Sequence, residues 1–310
     1  MTPMKMDMKP AAVRSSMAAR LAGKIWRGAH EYGVRFVGGE APRVIFGNDA
    51  GFFNNVRGWA ESRRLRRLMA GRFARLEHDP RALDLRRHGC VGVDAGFDPA
   101  LLARIQEKFA RLVVDPENSR DLTWIKNASR GIWRTNRVFP ELQNLLTGPI
   151  QDVLCGYYGS YFGVKNVRCH RTTSVEAGGR EVYSDHWHND EDPTTELRIF
   201  IYLTNGVTRE TGALRYHSIE STREIMRSGY FRRGHIYGRA RRLVDDPARI
   251  RYFEGNAGSV ALFNPEICLH RASIPKPGSH RDIVQITVHP SEEPLAENWI
   301  SHCVDADRSE

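Results

Sequence analysis

Beyond Tyr157 the chain is a succession of short apolar runs broken by turn residues, with no alternating strand–helix rhythm and no internal repeat. Parallel α/β folds need that rhythm, because each parallel pair requires a long crossover connection, usually a helix. Its absence suits an antiparallel jelly roll, a mainly β fold with flanking helices. The clearest strand is Arg281-Asp282-Ile283-Val284-Gln285-Ile286-Thr287-Val288, and further strand-like runs cover 161–170, 197–203 and 259–263. Helices are expected upstream. Asp98 can cap one from Pro99 to about Leu112, with proline at its first position, and another is expected from Pro140 to Tyr157. The span from Thr222 to Arg251 reads as a helical or irregular insertion. Its arginines (Arg232, Arg233, Arg239, Arg241, Arg242) suit either contacts to an anionic substrate or a solvated surface.

At 310 residues the chain can bury a large core. Charge divides it: residues 1–88 carry +10 and residues 89–310 carry −1, which together make the net +9. That shift sets the expected boundary between a basic helical N-terminal region, 1–88, and a second, strand-rich domain, 89–310. Within the basic region Met17, Leu21, Ile25 and Tyr32 share one helical face. A second amphipathic run from Leu65 through Phe73 to Leu76 carries Arg63, Arg64 and Arg67. The expected role is packing against the jelly roll, with contact to an anionic membrane surface as the weaker alternative. No nucleic-acid module accompanies these arginines, and no nucleic-acid partner is expected. Five scattered cysteines without a paired spacing favour free thiols in a reducing compartment. No apolar run is long enough to span a bilayer, and the basic, alanine-containing N-terminal stretch has no continuous apolar core, so export is not expected. The expected location is cytoplasmic.

The residues that carry chemistry are His188 and Asp190, then His270 eighty positions after Asp190, and Arg281 eleven positions after His270. Side chains two apart on an extended segment share a face, so a strand from Tyr183 to Asp190 would aim His188 and Asp190 at one ion. Two imidazoles and a carboxylate can take one face of an octahedral metal and leave three positions open, the arrangement of non-haem Fe(II) oxygenases. Arg281 follows the turn-rich segment 274–279 and is expected on a strand beside the one carrying His270. Its planar fork suits a carboxylate gripped through two parallel hydrogen bonds. Blander readings exist. Asp185, Asp190, Glu191 and Asp192 make an acidic loop in sequence, short motifs match by chance, and Arg281 can be a surface arginine. His186 shares strand parity with His188, and with an acidic neighbour and His270 it would form a cupin-type Zn or Mn site. That alternative leaves Arg281 unexplained.

The run Trp187-His188-Asn189-Asp190, the strand 197–203, Gly212-Ala213-Leu214, His270 and Arg281 resemble the phytanoyl-CoA dioxygenase-like family of Fe(II)/2-oxoglutarate-dependent oxygenases. The resemblance covers roughly Gly89 to Val288. It departs at Tyr216-His217-Ser218, where the family often has Pro-Gly-Ser-His, and at Ala272, where a small hydroxylated residue is common. The resemblance implies a double-stranded β-helix, a cupin-like jelly roll with the metal inside its mouth. It implies Fe(II) held by His188, Asp190 and His270, and 2-oxoglutarate held at its far carboxylate by Arg281. Arg168, on the strand lining the co-substrate pocket, is the second candidate for a carboxylate contact. The implied reaction consumes dioxygen and 2-oxoglutarate and yields succinate, carbon dioxide and, by default, a hydroxylated small-molecule, lipid or sugar substrate. A halogenase would lack Asp190. Desaturation, cyclisation and epimerisation share the same ligand set. The reading from a different class is a non-catalytic oxygenase-like module that recruits an anionic partner through its basic N-terminal region.

Overall fold

The computed structural model describes residues 52–114, 122–126, 128–174, 186–190, 192–232, 235–236 and 238–304. In chain order its strands are β1 (Cys90–Val93), β2 (Thr123–Lys126), β3 (Ser129–Ile132), β4 (Tyr161–Thr173), β5 (Leu197–Tyr202), β6 (Leu214–Tyr216), β7 (Tyr230–Arg232), β8 (His235–Ile236), β9 (Arg251–Phe253), β10 (Val260–Phe263), β11 (His270–Ala272) and β12 (His280–Ser291). A large antiparallel sheet has the order β1-β10-β5-β12-β4-β3-β2, and a small one the order β11-β6-β9. His188 extends the small sheet through one antiparallel bridge to His270. From β4 onward the chain winds between the sheets. β4 is in the large one, the His188 segment in the small one, β5 in the large one, β6 and β9 in the small one, β10 in the large one, β11 in the small one and β12 in the large one. This winding is that of a jelly roll.

Strand alternation gives the large sheet two buried faces. Val167, Cys169, Leu197, Ile199, Ile201, Leu262, Val284, Ile286 and Val288 join the main core with helix residues Ile105, Phe109, Val113 and Leu154. The opposite parity, including Arg168, His170, Arg198, Phe200, Tyr202, Arg281, Ile283 and Gln285, lines a cavity facing the small sheet. Because strands read as apolar on one face and mixed on the other, the chain can fill a core and keep a polar interior at once. The helix Pro99–Val114 covers the outer face through Leu101, Ile105, Phe109 and Val113, one residue per turn. The Asp98 carboxylate accepts from the Ala100 amide at 2.9 Å, as its capping position predicts.

Two expectations change and a third, the insertion, is filled in. The helix expected over Pro140–Tyr157 is a 3-10 turn, Pro140–Leu145, followed by a separate helix, Gly148–Tyr158. Pro149 has no amide hydrogen to bond back along the chain, so the helix restarts at Thr147, whose backbone is extended. The insertion between β6 and β9 holds the helices Ile219–Arg227 and Gly238–Val244 and the β7–β8 hairpin. Arg239, Arg241 and Arg242 point to solvent there, and Arg239 pairs with Glu224 at 3.2 Å. The strand carrying Arg281 is not beside the one carrying His270. β12 pairs with β4 and β5, and β11 pairs with β6, so the two residues face each other from different sheets.

Of the basic region, residues 52–88 are described. Leu65, Phe73, Ala82 and Leu85 are buried, and Arg63, Arg64 and Arg67 are exposed. The face formed by Met17, Leu21, Ile25 and Tyr32 lies outside the described residues, as do Arg233 and residues 183–185 of the strand expected to carry His188 and Asp190. All five cysteines are free and buried. Among the described residues no helix is long and apolar enough to cross a membrane.

Candidate metal centre

His188 and His270 are directly opposed in an antiparallel bridge. The His188 amide donates to the His270 carbonyl at 3.0 Å, and the His270 amide to the His188 carbonyl at 2.9 Å. Opposed residues present side chains on the same face, and the two rings lie 4.2 Å apart between centroids. Asp190, two residues on, shares that face. Its amide donates to the Pro265 carbonyl at 3.2 Å, which holds the end of the segment. The result is a cluster in which Asp190 Oδ1 lies 3.6 Å from each histidine Nε2. Among the described residues these three form the group of metal-ligating atoms mutually within 4.8 Å. His186 is not in it; its carbonyl pairs with His188 Nδ1 at 2.7 Å.

The protonation pattern suits a cation. His188 Nδ1 meets the His186 carbonyl, and His270 Nδ1 meets the Cys268 carbonyl at 3.2 Å. A carbonyl only accepts, so each Nδ1 carries a hydrogen and each Nε2 is the ring nitrogen turned toward Asp190. Burial, with His188 alongside, pulls the His270 pKa down to about 3 and keeps the ring neutral. A divalent metal fits this donor set of two imidazole Nε2 atoms and one carboxylate. Behind it, Trp187 and Leu269 pack with Ile225, Met226, Ala240 and Val244 of the insertion. The insertion therefore supports the neighbours of both histidines.

The cavity at the cluster has a volume of about 300 Å³. Arg281 sits in its wall, 6% exposed. One Nη donates to the Gly212 carbonyl and the other to Thr172 Oγ1 at 3.3 Å, while Nε has no hydrogen-bond partner. Burial lowers its pKa from the ordinary guanidinium value, with Tyr202 and Asp282 opposing that effect. No described carboxylate lies within ion-pairing distance of Arg281: Asp282 is bound by Arg171 at 2.7 Å through both oxygens. A buried guanidinium without a counter-charge is costly, so this one fits an incoming carboxylate. Gly212 reaches it through a φ of +103°, and a Cβ there would lie 2.9 Å from Pro275.

Arg168 lines the same cavity two register steps from Arg281: Thr172 opposes Arg281, and Arg168 opposes Gln285. Burial, with Arg281 and Arg168 alongside, brings His170 between them down to about 3. The sequence reading missed Thr172, Tyr202, Gln285 and Arg198. Their signal is parity with Arg281 and Phe200 along the strands, which has meaning only once the inner face is known. Arg198 is buried among carboxylates, with Asp192 Oδ2 at 2.8 Å and Asp190, Glu196 and Glu266 oxygens at 3.5 Å. Burial, with Asp190 nearby, pushes Glu266 well above the usual carboxylate range.

No protein-family model matches this sequence, and no curated protein does. Solved structures do. EctD from S. alaskensis, crystallised with 2-oxoglutarate and 5-hydroxyectoine, matches at TM-score 0.52 and 16% identity over 68% of this chain and 76% of that one. EctD with bound Fe matches at TM-score 0.51 and 17% identity over the same shares, 68% and 76%. The non-heme alpha-ketoglutarate-dependent epimerase SnoN from nogalamycin biosynthesis matches at TM-score 0.49 and 16% identity over 70% of this chain and 83% of that one. At such identities the likeness is one of fold: this chain is an antiparallel double-stranded β-helix with flanking helices.

Proposed function

We propose that the protein is an Fe(II)/2-oxoglutarate-dependent oxygenase whose default reaction is hydroxylation of a C–H bond in a small-molecule substrate. One observation carries this reading. A cluster of two Nε2 atoms and a carboxylate shares a cavity with a buried arginine that, among the described residues, has no carboxylate at ion-pairing distance and an Nε without a hydrogen-bond partner. A structural metal site needs no such arginine, and an oxo-acid co-substrate needs both. The presence of 2-oxoglutarate and of Fe in crystals of EctD, which shares the fold, agrees with it.

In this reading His188, Asp190 and His270 hold the iron and Arg281 holds the distal carboxylate of 2-oxoglutarate, with Arg168 as the second candidate for a carboxylate contact. Bound there, Fe(II) and 2-oxoglutarate activate dioxygen for attack on a C–H bond, with succinate and carbon dioxide released. The bonds from both Nδ1 atoms to backbone carbonyls fix the imidazole tautomers and ring planes. Arg281, tied to Gly212 and Thr172, is pre-oriented and loses little freedom on binding. Phe200, Leu214 and Ile283 give the cavity an apolar side that excludes water. Asp190 supplies the carboxylate that a halogenase lacks. We read residues 89–310 as the catalytic unit and 1–88 as an appended basic region.

The test is metal-dependent turnover. Purified protein supplied with Fe(II) and 2-oxoglutarate is expected to form succinate slowly without any other substrate. His188→Ala and His270→Ala are each expected to abolish it, because two remaining ligands hold iron weakly. Wild-type succinate formation in either variant would refute the ligand assignment.

A further inference from the structure

Asp190 offers two oxygens, and the structure treats them differently. Oδ1 faces both histidine Nε2 atoms at 3.6 Å. Oδ2 lies 3.5 Å from Arg198 Nη2. Arg198 is fixed from the other side. Its side chain is 8% exposed, the same Nη2 binds Asp192 Oδ2 at 2.8 Å, and Nη1 lies 3.5 Å from Glu196 Oε2. Its backbone is set in the large sheet between Phe263 of β10 and Thr287 of β12. Strand parity therefore puts a buried guanidinium, anchored through Nη2, on the inner wall next to the one anionic group of the metal cluster.

We propose that Arg198 is a positioning residue for the metal centre: it holds Asp190 Oδ2 so that this carboxylate binds metal through Oδ1 alone. The inference rests on the reading of His188, Asp190 and His270 as metal ligands. An octahedral ion bound by three protein atoms keeps three positions, two for a chelating oxo acid and one for dioxygen. A carboxylate that bound through both oxygens would take one of those three. Arg198 prevents that by giving Oδ2 a charged partner of its own. Carboxylate ligands are commonly oriented by such hydrogen-bonding partners, and loss of one changes metal or ligand affinity about 10- to 100-fold.

A purely structural role is the competing account, since Arg198 also joins the 190–196 segment to Glu266, whose Oε1 lies 3.5 Å from Nη2. Buried ion clusters hold folds together without touching chemistry. The two accounts differ in what Arg198→Lys does, because lysine keeps the charge and loses the fork.

The experiment uses full-length protein with Co(II) in place of Fe(II), since Co(II) has a visible spectrum that reports coordination. Wild type, Arg198→Lys and Asp192→Asn are titrated with Co(II), and the Co(II)-loaded proteins are then titrated with 2-oxoglutarate. For Arg198→Lys the expected result is an altered Co(II) spectrum and about tenfold weaker 2-oxoglutarate binding, with thermal unfolding of the metal-free protein close to wild type. A lowered unfolding temperature with a wild-type spectrum and wild-type 2-oxoglutarate affinity would overturn the proposal in favour of the structural role. If Arg198→Lys does not fold, Asp192→Asn decides. It removes the 2.8 Å anchor from a half-exposed position, and the same spectral change is expected; an unchanged spectrum overturns the proposal. Absence of succinate formation with these shifts intact would defeat the oxygenase reading and leave the positioning role standing. Failure of wild type to bind Co(II) would defeat both.

Discussion

His188 and His270 aim the same nitrogen at the same point because backbone carbonyls hold the other nitrogen of each ring. That His188 and Asp190 come together was legible in the sequence, since a His-x-Asp pair needs only the two-residue period of an extended chain to share a face. Arg281 was legible by its spacing, yet its surroundings were not. Its partners Gly212 and Thr172 lie 69 and 109 residues away. Those partners motivate a prediction. Arg281→Lys keeps a positive charge and loses the planar fork that the Gly212 carbonyl and Thr172 hold in place. Hydrogen bonds to charged groups contribute roughly 1.5–3 kcal/mol, so the Michaelis constant for 2-oxoglutarate should rise about ten- to a hundred-fold, with iron content unchanged. Steady-state kinetics and metal analysis check this. An unchanged constant would move the clamp to Arg168. Arg198 was invisible in the sequence because one arginine in an apolar run reads as solvent-facing until both sides of the sheet are known to be covered.

Individual elements followed the sequence where local patterning decides them. The strand expected at 281–288 is the centre of β12, His280–Ser291, and the helix begun by Asp98 ends at Val114, two residues beyond its expected end. Termini depend on what the chain meets next, which local pattern does not encode. The junction at Gly89 shows how tight such a meeting can be. Gly89 ends the helix Pro80–His88 with φ +79°, and its amide donates to the Leu85 carbonyl at 2.8 Å. A Cβ there would lie 2.2 Å from Cys268 Sγ, two residues before His270. Gly89→Ala therefore combines left-handed backbone strain with overpacking, and should cost about 2–4 kcal/mol. Urea unfolding measures it, and a loss under about 0.5 kcal/mol would show that the junction is looser than its geometry.

Across the whole molecule, closing two sheets on each other buries groups that prefer water, and this sets a pH dependence. Burial, with Arg281 and Arg168 alongside, lowers His170 to about 3, and burial lowers His217 to about 4. His217 is locked between the Val244 carbonyl at 3.0 Å and Ser221 Oγ at 3.1 Å. Unfolded histidines take up a proton near pH 6.5, roughly, and these folded ones do not until pH is far lower. The unfolded state therefore binds more protons between those limits. Stability is full above about pH 6.5 and falls as pH drops, by at most about 1.4 kcal/mol per pH unit for each histidine. The urea midpoint of the metal-free protein should fall between pH 7 and pH 5, and less steeply in His217→Asn. A midpoint constant across that range would contradict the neutral burial of both rings. At this scale the division of labour is physical. The sequence by itself determined what depends on near neighbours along the chain: antiparallel strands without crossover helices, the period-two pairing of His188 with Asp190, and the capped helix at Asp98. Only the tertiary structure decided that β11 and β12 face each other from different sheets, that Arg281 is buried with no described carboxylate at ion-pairing distance, and that Arg198 stands against Asp190. Those facts depend on which strand face is enclosed, and a strand's period leaves that choice to the sheets that pack around it.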